Sequence, residues 1–321
     1  MSTPSHSFIG PLQVKNQFPV FIHANQPYLE KAVPETSFSV NLSHSSVFTV
    51  QNSGEWVIDM DMEITELNLR YKHYIQSIGE FGIDLPFIAF SSGFLDGFLE
   101  SYHDLIGDPY PYGRIGRPKN SFLYEIRHGE FTQLLAERGS KNPGNTAVVL
   151  GRTGTGLGDV RLTLKRPLMI SDNYNLSIKG NIELPTGDAK EGYGNGRLDT
   201  GLSFMYDRHL SDKIMSYWNF GAVFPGDVDG YSNISLKNYV FGGSAIEIDI
   251  WKQWDLLFQL QVQSPVYPET ELLAIDWTAY LLAFGCRYYK DNHSIEVSIT
   301  EDLNSAGAPD FTANISYKVN L

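Results

Sequence analysis

Asp59, Asp61 and Glu63 stand two residues apart, with Met60 and Met62 between them. On an extended strand that spacing puts three carboxylates on one face. Such a row can attract cations along a polar path or anchor a buried ion network. Other segments carry similar rows. Arg161 and Lys165 share a face with Asp159 and Thr163, and Glu247 shares one with Asp249. Gln259, Gln261 and Gln263 lie opposite Leu256, Phe258, Leu260 and Val262.

Nucleophilic and metal chemistry find less support. The eight histidines form no HxH or HExxH pair, so neither a metal nor a cofactor is expected. His44-Ser45 and His103-Asp104 are fragments of a hydrolase constellation, which needs serine, histidine and an orienting acid in contact. No residue is assigned a catalytic role. The run TAVVLGRTGTGLGD tempts a nucleotide reading, but it lacks Gly-Lys-Ser/Thr and leads into a strand where a helix N-terminus is required. PGDVDGYSN places Asp227, Asp229 and Asn233 beside Gly230, half of a calcium loop, but the pattern is incomplete and no glutamate closes it, so an ordinary solvated turn is the expectation.

The elements that carry these rows are strands. FTANISYKVNL, the last eleven residues, alternates apolar and polar throughout. Eleven further segments continue the pattern: about 36–50, 55–72, 78–90, 157–168, 174–185, 197–210, 214–224, 237–250, 255–264, 274–289 and 293–301. Tight turns at 211–213, 251–254 and 290–292 alternate with long loops at 185–196, 225–236, 265–273 and 302–309. Sorting of connections by length, with a polar row facing inward and an apolar row outward, predicts an all-β fold: a transmembrane antiparallel up-and-down β-barrel of about 12 strands. The even count puts both ends of the barrel chain at the short-turn end. Tyr71, Tyr74, Trp251, Trp254, Tyr288, Tyr289 and Tyr317 lie near those turns, as an interfacial girdle requires. In the second strand Trp56, Ile58, Met60, Met62 and Ile64 are read as facing outward with Leu67, Leu69 and Tyr71, which demands a bulge near Thr65–Glu66.

Two stretches break the pattern. Residues 1–34 hold five prolines and no clean period, and are expected to form an irregular segment that can plug the barrel of residues 35–321. The loop insert 91–156 is far longer than a normal connection. Within it Phe94, Leu95, Phe98, Leu99, Tyr102, Leu105 and Ile106 fall at helical spacing, predicting one amphipathic helix over 92–107. Its acidic face suits an anionic lipopolysaccharide surface poorly, so it is placed at the barrel mouth, with Phe94, Phe98, Tyr102 and His103 as gate or lid residues. NSFLYEIRHGEFTQLL reads as a hairpin about His128–Gly129.

Composition bounds the function. A net charge of −13 without a basic stripe leaves no nucleic-acid partner. The single cysteine, Cys286, permits no internal disulfide. There is no apolar run of about 18 residues for a membrane helix. No secretory signal is legible in MSTPSHSF, so an exported protein is expected to have had one removed.

The stretches GPLQVKNQFPV, SSGFLDGFLESYHDLIG, PKNSFLYEI, GLGDVRLTLK and LPTGD resemble an uncharacterised family of proteobacterial outer-membrane barrels, a domain of unknown function. The resemblance covers most of the chain. It implies a bacterial outer-membrane location, contact with outer-membrane lipid, and delivery to the barrel-assembly machinery through the C-terminal strand. It transfers no activity. The reading that follows is a passive channel or uptake porin for a small solute, gated by the N-terminal segment and the 91–156 insert, and not an enzyme. Its lumen-facing candidates are Asp59, Asp61, Glu63, Arg161, Lys165, Glu247, Asp249, Gln259, Gln261 and Gln263. The alternative is a closed barrel that scaffolds envelope protein partners, and the least favoured is a membrane-embedded lipid hydrolase.

Overall fold

A computed structural model describes residues 8–19, 27–93, 95, 97, 119–129, 144–304 and 306–321. Its strands in chain order are β1 (Ser37–Asn52), β2 (Trp56–Ile75), β3 (Gly79–Ser91), β4 (Leu123–Gly129), β5 (Asn145–Leu150), β6 (Gly154–Leu157), β7 (Val160–Ile170), β8 (Tyr174–Leu184), β9 (Asp199–Ser211), β10 (Ile214–Phe224), β11 (Val228–Asp229), β12 (Asn233–Ile234), β13 (Tyr239–Trp251), β14 (Trp254–Gln263), β15 (Ala279–Lys290), β16 (His293–Asp302) and β17 (Phe311–Asn320). One helical turn, Leu273–Asp276, precedes β15.

Twelve of these close on themselves in the order β2-β1-β17-β16-β15-β14-β13-β10-β9-β8-β7-β3, with β3 returning to β2. Every pairing is antiparallel, and the last strand closes the ring against the first from Ser37↔Asn320 to Ser46↔Phe311. The twelve alternating segments of the sequence are the twelve strands of this ring. A closed ring has no free edge, which is what lets a sheet cross lipid with its backbone groups paired.

The surface is inverted relative to a water-soluble barrel. Phe258, Leu260, Phe284, Ile315, Leu162, Phe204 and Phe220 are exposed on the outside. Their neighbours Gln259, Gln261, Asn314, Ser316, Arg161 and Lys165 are buried inside. Trp251, Trp254, Tyr71 and Tyr317 mark the short-turn rim with exposed aromatic rings. Leu260 stands six residues above Trp254, about 15 Å along the axis for a strand tilted by about 40°. That is near the middle of a hydrocarbon layer about 30 Å thick. Leu260→Arg is therefore expected to lower unfolding stability by about 2–4 kcal/mol. Gln261→Arg, which points into the lumen, should cost less; urea titration of the barrel in detergent or lipid decides it, and the reverse order would reverse the assigned facing.

β1 and β2 are 16 and 20 residues long, whereas about 9–11 suffice to cross the bilayer. Their upper halves rise beyond the belt at the long-loop end. There β2 leaves β3 and pairs with β4 from Trp56↔His128 to Asp61↔Leu123, and β4 pairs with β5. Of the expected hairpin about His128–Gly129, the first strand is β4, which pairs with β5, and residues 130–135 lie outside the described residues. β6 continues the wall above β3.

Two sequence motifs brace this end. The Asp159 carboxylate accepts from the backbone N–H of Gly187 at 2.7 Å and of Asn195 at 3.2 Å. The Thr186 hydroxyl donates to Gly158 O and accepts from Val160 N. GLGD and LPTGD thus clamp two loops together by side-chain capture of backbone groups. A Cβ on Gly187 would lie 2.5 Å from Tyr193 O, which explains the glycine. Burial raises the Asp159 carboxyl to about 6, against the pull of those N–H donors.

Candidate functional site

The lumen is polar in its lower half and apolar at its mouth. Two limbs of the N-terminal segment fill the polar half, each lying on its own arc of wall.

Residues 9–18 climb the arc made by β13–β16. Ile9 N and Gly10 N each donate to the Glu247 carboxylate at 3.1 Å. Arg287 binds Glu247 at 2.6 Å and Glu296 at 2.7 Å, and also donates to the carbonyls of Gly10 and Pro11. Tyr217 completes the group by donating to Glu247. Higher up, Gln13 N donates to Glu296, Gln261 Nε2 donates to Val14 O at 3.2 Å, and Asn16 Nδ2 donates to Gln263 Oε1 at 3.1 Å. Gln17 meets Ser43 and Ser45 of β1. The climb ends at Phe18, in the apolar cluster of the mouth.

Residues 27–36 descend the opposite arc, made by β2, β3 and β7–β10. Asn68 donates to the Tyr28 hydroxyl at 2.9 Å, and the Arg70 guanidinium stacks 4.1 Å over the Tyr28 ring. Glu30 enters a cage of four cations: Arg70 at 2.7 Å, Lys72 at 3.1 Å, Lys179 at 3.4 Å and Lys165 at 3.6 Å. Asn219 accepts from Glu30 N and donates to Glu30 O, both at 3.0 Å. Ala32 N donates to Asp207, and Ser177 donates to Ala32 O. Glu35 pairs with Lys318 at 2.7 Å, and its N–H donates to Glu80. A segment without secondary structure can lie inside a membrane barrel only because wall side chains satisfy its backbone groups one by one.

The mouth is built otherwise. Trp56, Ile58, Met60, Met62 and Ile64 of β2 pack with Tyr124 and Ile126 of β4, Val148 and Val149 of β5, and Phe90, Tyr193 and Tyr267. Phe90 lies edge-on to Tyr124 at 5.2 Å and stacked on Tyr193 at 4.8 Å. This is an apolar core seated above the membrane belt.

Most expected lumen residues face inward. Arg161 is 3.4 Å from Glu183, Lys165 is 2.9 Å from Glu80, and Glu247 and the three glutamines hold the ascending limb or lie beside it. Asp249 shares the parity of Glu247 near the short turn and is half-buried. Asp59, Asp61 and Glu63 do not belong with them. The β1–β2 register runs unbroken from Ser37↔Lys72 to Asn52↔Val57, so the expected bulge is absent. Unbroken parity puts Met60 and Met62 on the inner face with Glu66, Asn68, Arg70 and Lys72, and the three acids on the outer face. They are buried there by the insert: Ser121 donates to Asp61, Leu95 N donates to Glu63 at 2.6 Å, and His44 Nε2 lies 3.1 Å from Glu63. Ser45 points the other way, into the lumen, so His44 and Ser45 form no dyad. Asp229 faces Arg197 at 3.3 Å. Phe94, Phe98, Tyr102 and His103, with most of the expected 92–107 helix, lie outside the described residues.

The residues missed from sequence are those that bind the plug: Arg70, Lys72, Lys179, Arg287 and Lys318, with Glu30 and Glu35 facing them. Inward parity was a usable signal for the wall cations. Nothing in the alternation pairs them with particular acids, which for Lys318 and Glu35 lie 283 residues apart.

A family model described as "Protein of unknown function (DUF3187)" matches residues 2–321. No curated protein matches the chain. Among solved structures, an outer membrane channel from Pseudomonas putida F1 is similar at 15% identity, with 92% of this chain and 98% of that chain covered and a TM-score of 0.54. The NanC porin follows at 9% identity, 88% and 100% coverage and a TM-score of 0.48. The P. putida toluene transporter TodX gives 11%, 90% and 91%, and 0.44. At such identities the first of these likenesses speaks for the fold.

Proposed function

We propose, since the chain belongs to the DUF3187 family of proteins of unknown function, that its activity be read from the lumen: a passive channel of the bacterial outer membrane for a small solute, closed by its own N-terminal segment. The short turns face the periplasm, and residues 1–34 enter from that side. The described strands of the 91–156 insert, β4 and β5, pack into the opposite mouth. The observation that carries this reading is the chemistry of the wall under the plug. Arg287, Glu247, Glu296, Gln261 and Gln263 hold the ascending limb through hydrogen bonds and ion pairs that water or a polar solute can replace. A lumen meant to stay filled is more stably packed with apolar side chains than with buried ion pairs. Twelve strands enclose more room than small side-chain-filled barrels and less than wide porins. The likeness in fold to a P. putida outer membrane channel agrees with this reading.

A closed scaffold for envelope partners is the second reading, and the apolar core at the mouth favours it. Planar-bilayer conductance separates the two. Deleting 92–107 from the otherwise full chain should lengthen or enlarge openings if that stretch covers the pore. Unchanged conductance from a folded deletion removes the helix from the gate and leaves the N-terminal segment as the closure.

A further inference from the structure

Glu30 sits in the lumen as an acidic solute would. Its carboxylate is buried at 2% exposure, with four cations from three strands, β2, β7 and β8, between 2.7 and 3.6 Å away. These cations are unequally supplied with wall acids. Arg70 also has Asp84 at 3.0 Å, and Lys165 and Lys72 also have Glu80 at 2.9 and 3.8 Å. Lys179 has no other carboxylate partner among the described residues. The acid that answers Lys179 belongs to the removable segment and not to the wall. When the descending limb leaves, the inward-facing Lys179 ammonium loses its counter-ion and the other three cations lose one of theirs, in a wall where an unpaired charge is costly. An anion from solution is the natural replacement.

We propose that Arg70, Lys72, Lys165 and Lys179 form a carboxylate-binding site, filled by Glu30 in the closed barrel and by a small carboxylate-bearing solute in the open one. The inference rests on the channel reading and names its substrate class. Arg70 supplies planar donors that match a carboxylate, and the three lysines supply point charges around it. Solute and plug compete for one site, so entry of the solute favours release of the plug by mass action. The same mechanism gives the open lumen an anion preference on this arc although the whole chain is acidic.

The test uses the full chain, folded in detergent. Glu30→Ala empties the cage while leaving the rest of the limb. Its thermal midpoint should fall below that of the parent, and sodium acetate should restore it saturably, by roughly 5 °C. Acetamide, of the same shape but uncharged, should restore nothing, and acetate should leave the parent unmoved. Adding Lys179→Gln should abolish the acetate effect. Equal action of acetate and acetamide, or of acetate on parent and variant, overturns the proposal. Rescue by inorganic phosphate but not acetate overturns the carboxylate assignment. Should E30A fail to fold, the isosteric Glu30→Gln goes into planar bilayers under a KCl gradient. Its reversal potential should shift towards chloride and return part-way with Lys179→Gln; no shift, or a shift towards potassium, overturns the proposal. The acetate arm reads the site without any current, so its failure is distinguishable from failure of the barrel to conduct.

Discussion

A chain lacking residues 1–34 should conduct where the parent is mostly silent. In planar bilayers the expected result is long, ohmic openings in the deletion and rare or brief ones in the full chain. The reasoning is geometric. The ascending limb lies against β13–β16 and the descending limb against β2, β3 and β7–β10, so together they occupy both sides of the polar lumen. The barrel itself does not need them to close, because β1 pairs with β17 over ten residues. Heat-modifiable migration on gels shows whether the deletion has folded. A folded deletion that never conducts hands the function to the closed-scaffold reading and moves the seal to the apolar mouth.

Arg287→Ala is expected to be the most damaging single change in the lumen, lowering stability by about 3–5 kcal/mol. The guanidinium is 2% exposed and serves two carboxylates and two carbonyls at once. Its loss leaves Glu247 and Glu296 buried beside each other without the cation that holds them. Most of the cost is that uncompensated charge, so Arg287→Ala with Glu247→Gln should be less destabilised than Arg287→Ala alone. Denaturant midpoints of the single and double variants check the sign of the coupling. Strict additivity would show that Arg287 acts by packing and not by charge.

The ring of strands was legible because a membrane barrel writes its facing into every second residue. Gln259, Gln261 and Gln263 against Phe258, Leu260 and Val262 needed no tertiary knowledge to place. The same rule misled at Met60 and Met62. Alternation distinguishes two faces but does not say which one is wet. Below Thr65 the apolar side of β2 meets lipid; above it the strand has left the bilayer, and the apolar side, now the opposite one, meets the mouth core. A bulge was inferred to keep one face greasy throughout, whereas the environment changed around an unbroken strand. The plug was legible as an interruption, through its prolines and lack of period. Its partners were not, since Glu30 and Lys179 are joined only by closure of the ring. GLGD and LPTGD serve a loop clamp through Asp159, Thr186 and Gly187.

The contact between Glu35 and Lys318 spans 283 residues and lies beside the seam where the first strand meets the last. Gln13 reaches Glu296 over the same separation. Contacts so distant in sequence form late in folding, because the whole chain must be gathered before they are rewarded. The segment that fills the pore is therefore also a splint across its final joint. It gives the incoming last strand a charged partner already tethered to the first. A barrel made without it should reach the same ring more slowly, and would spend longer with two unpaired strand edges exposed to other chains.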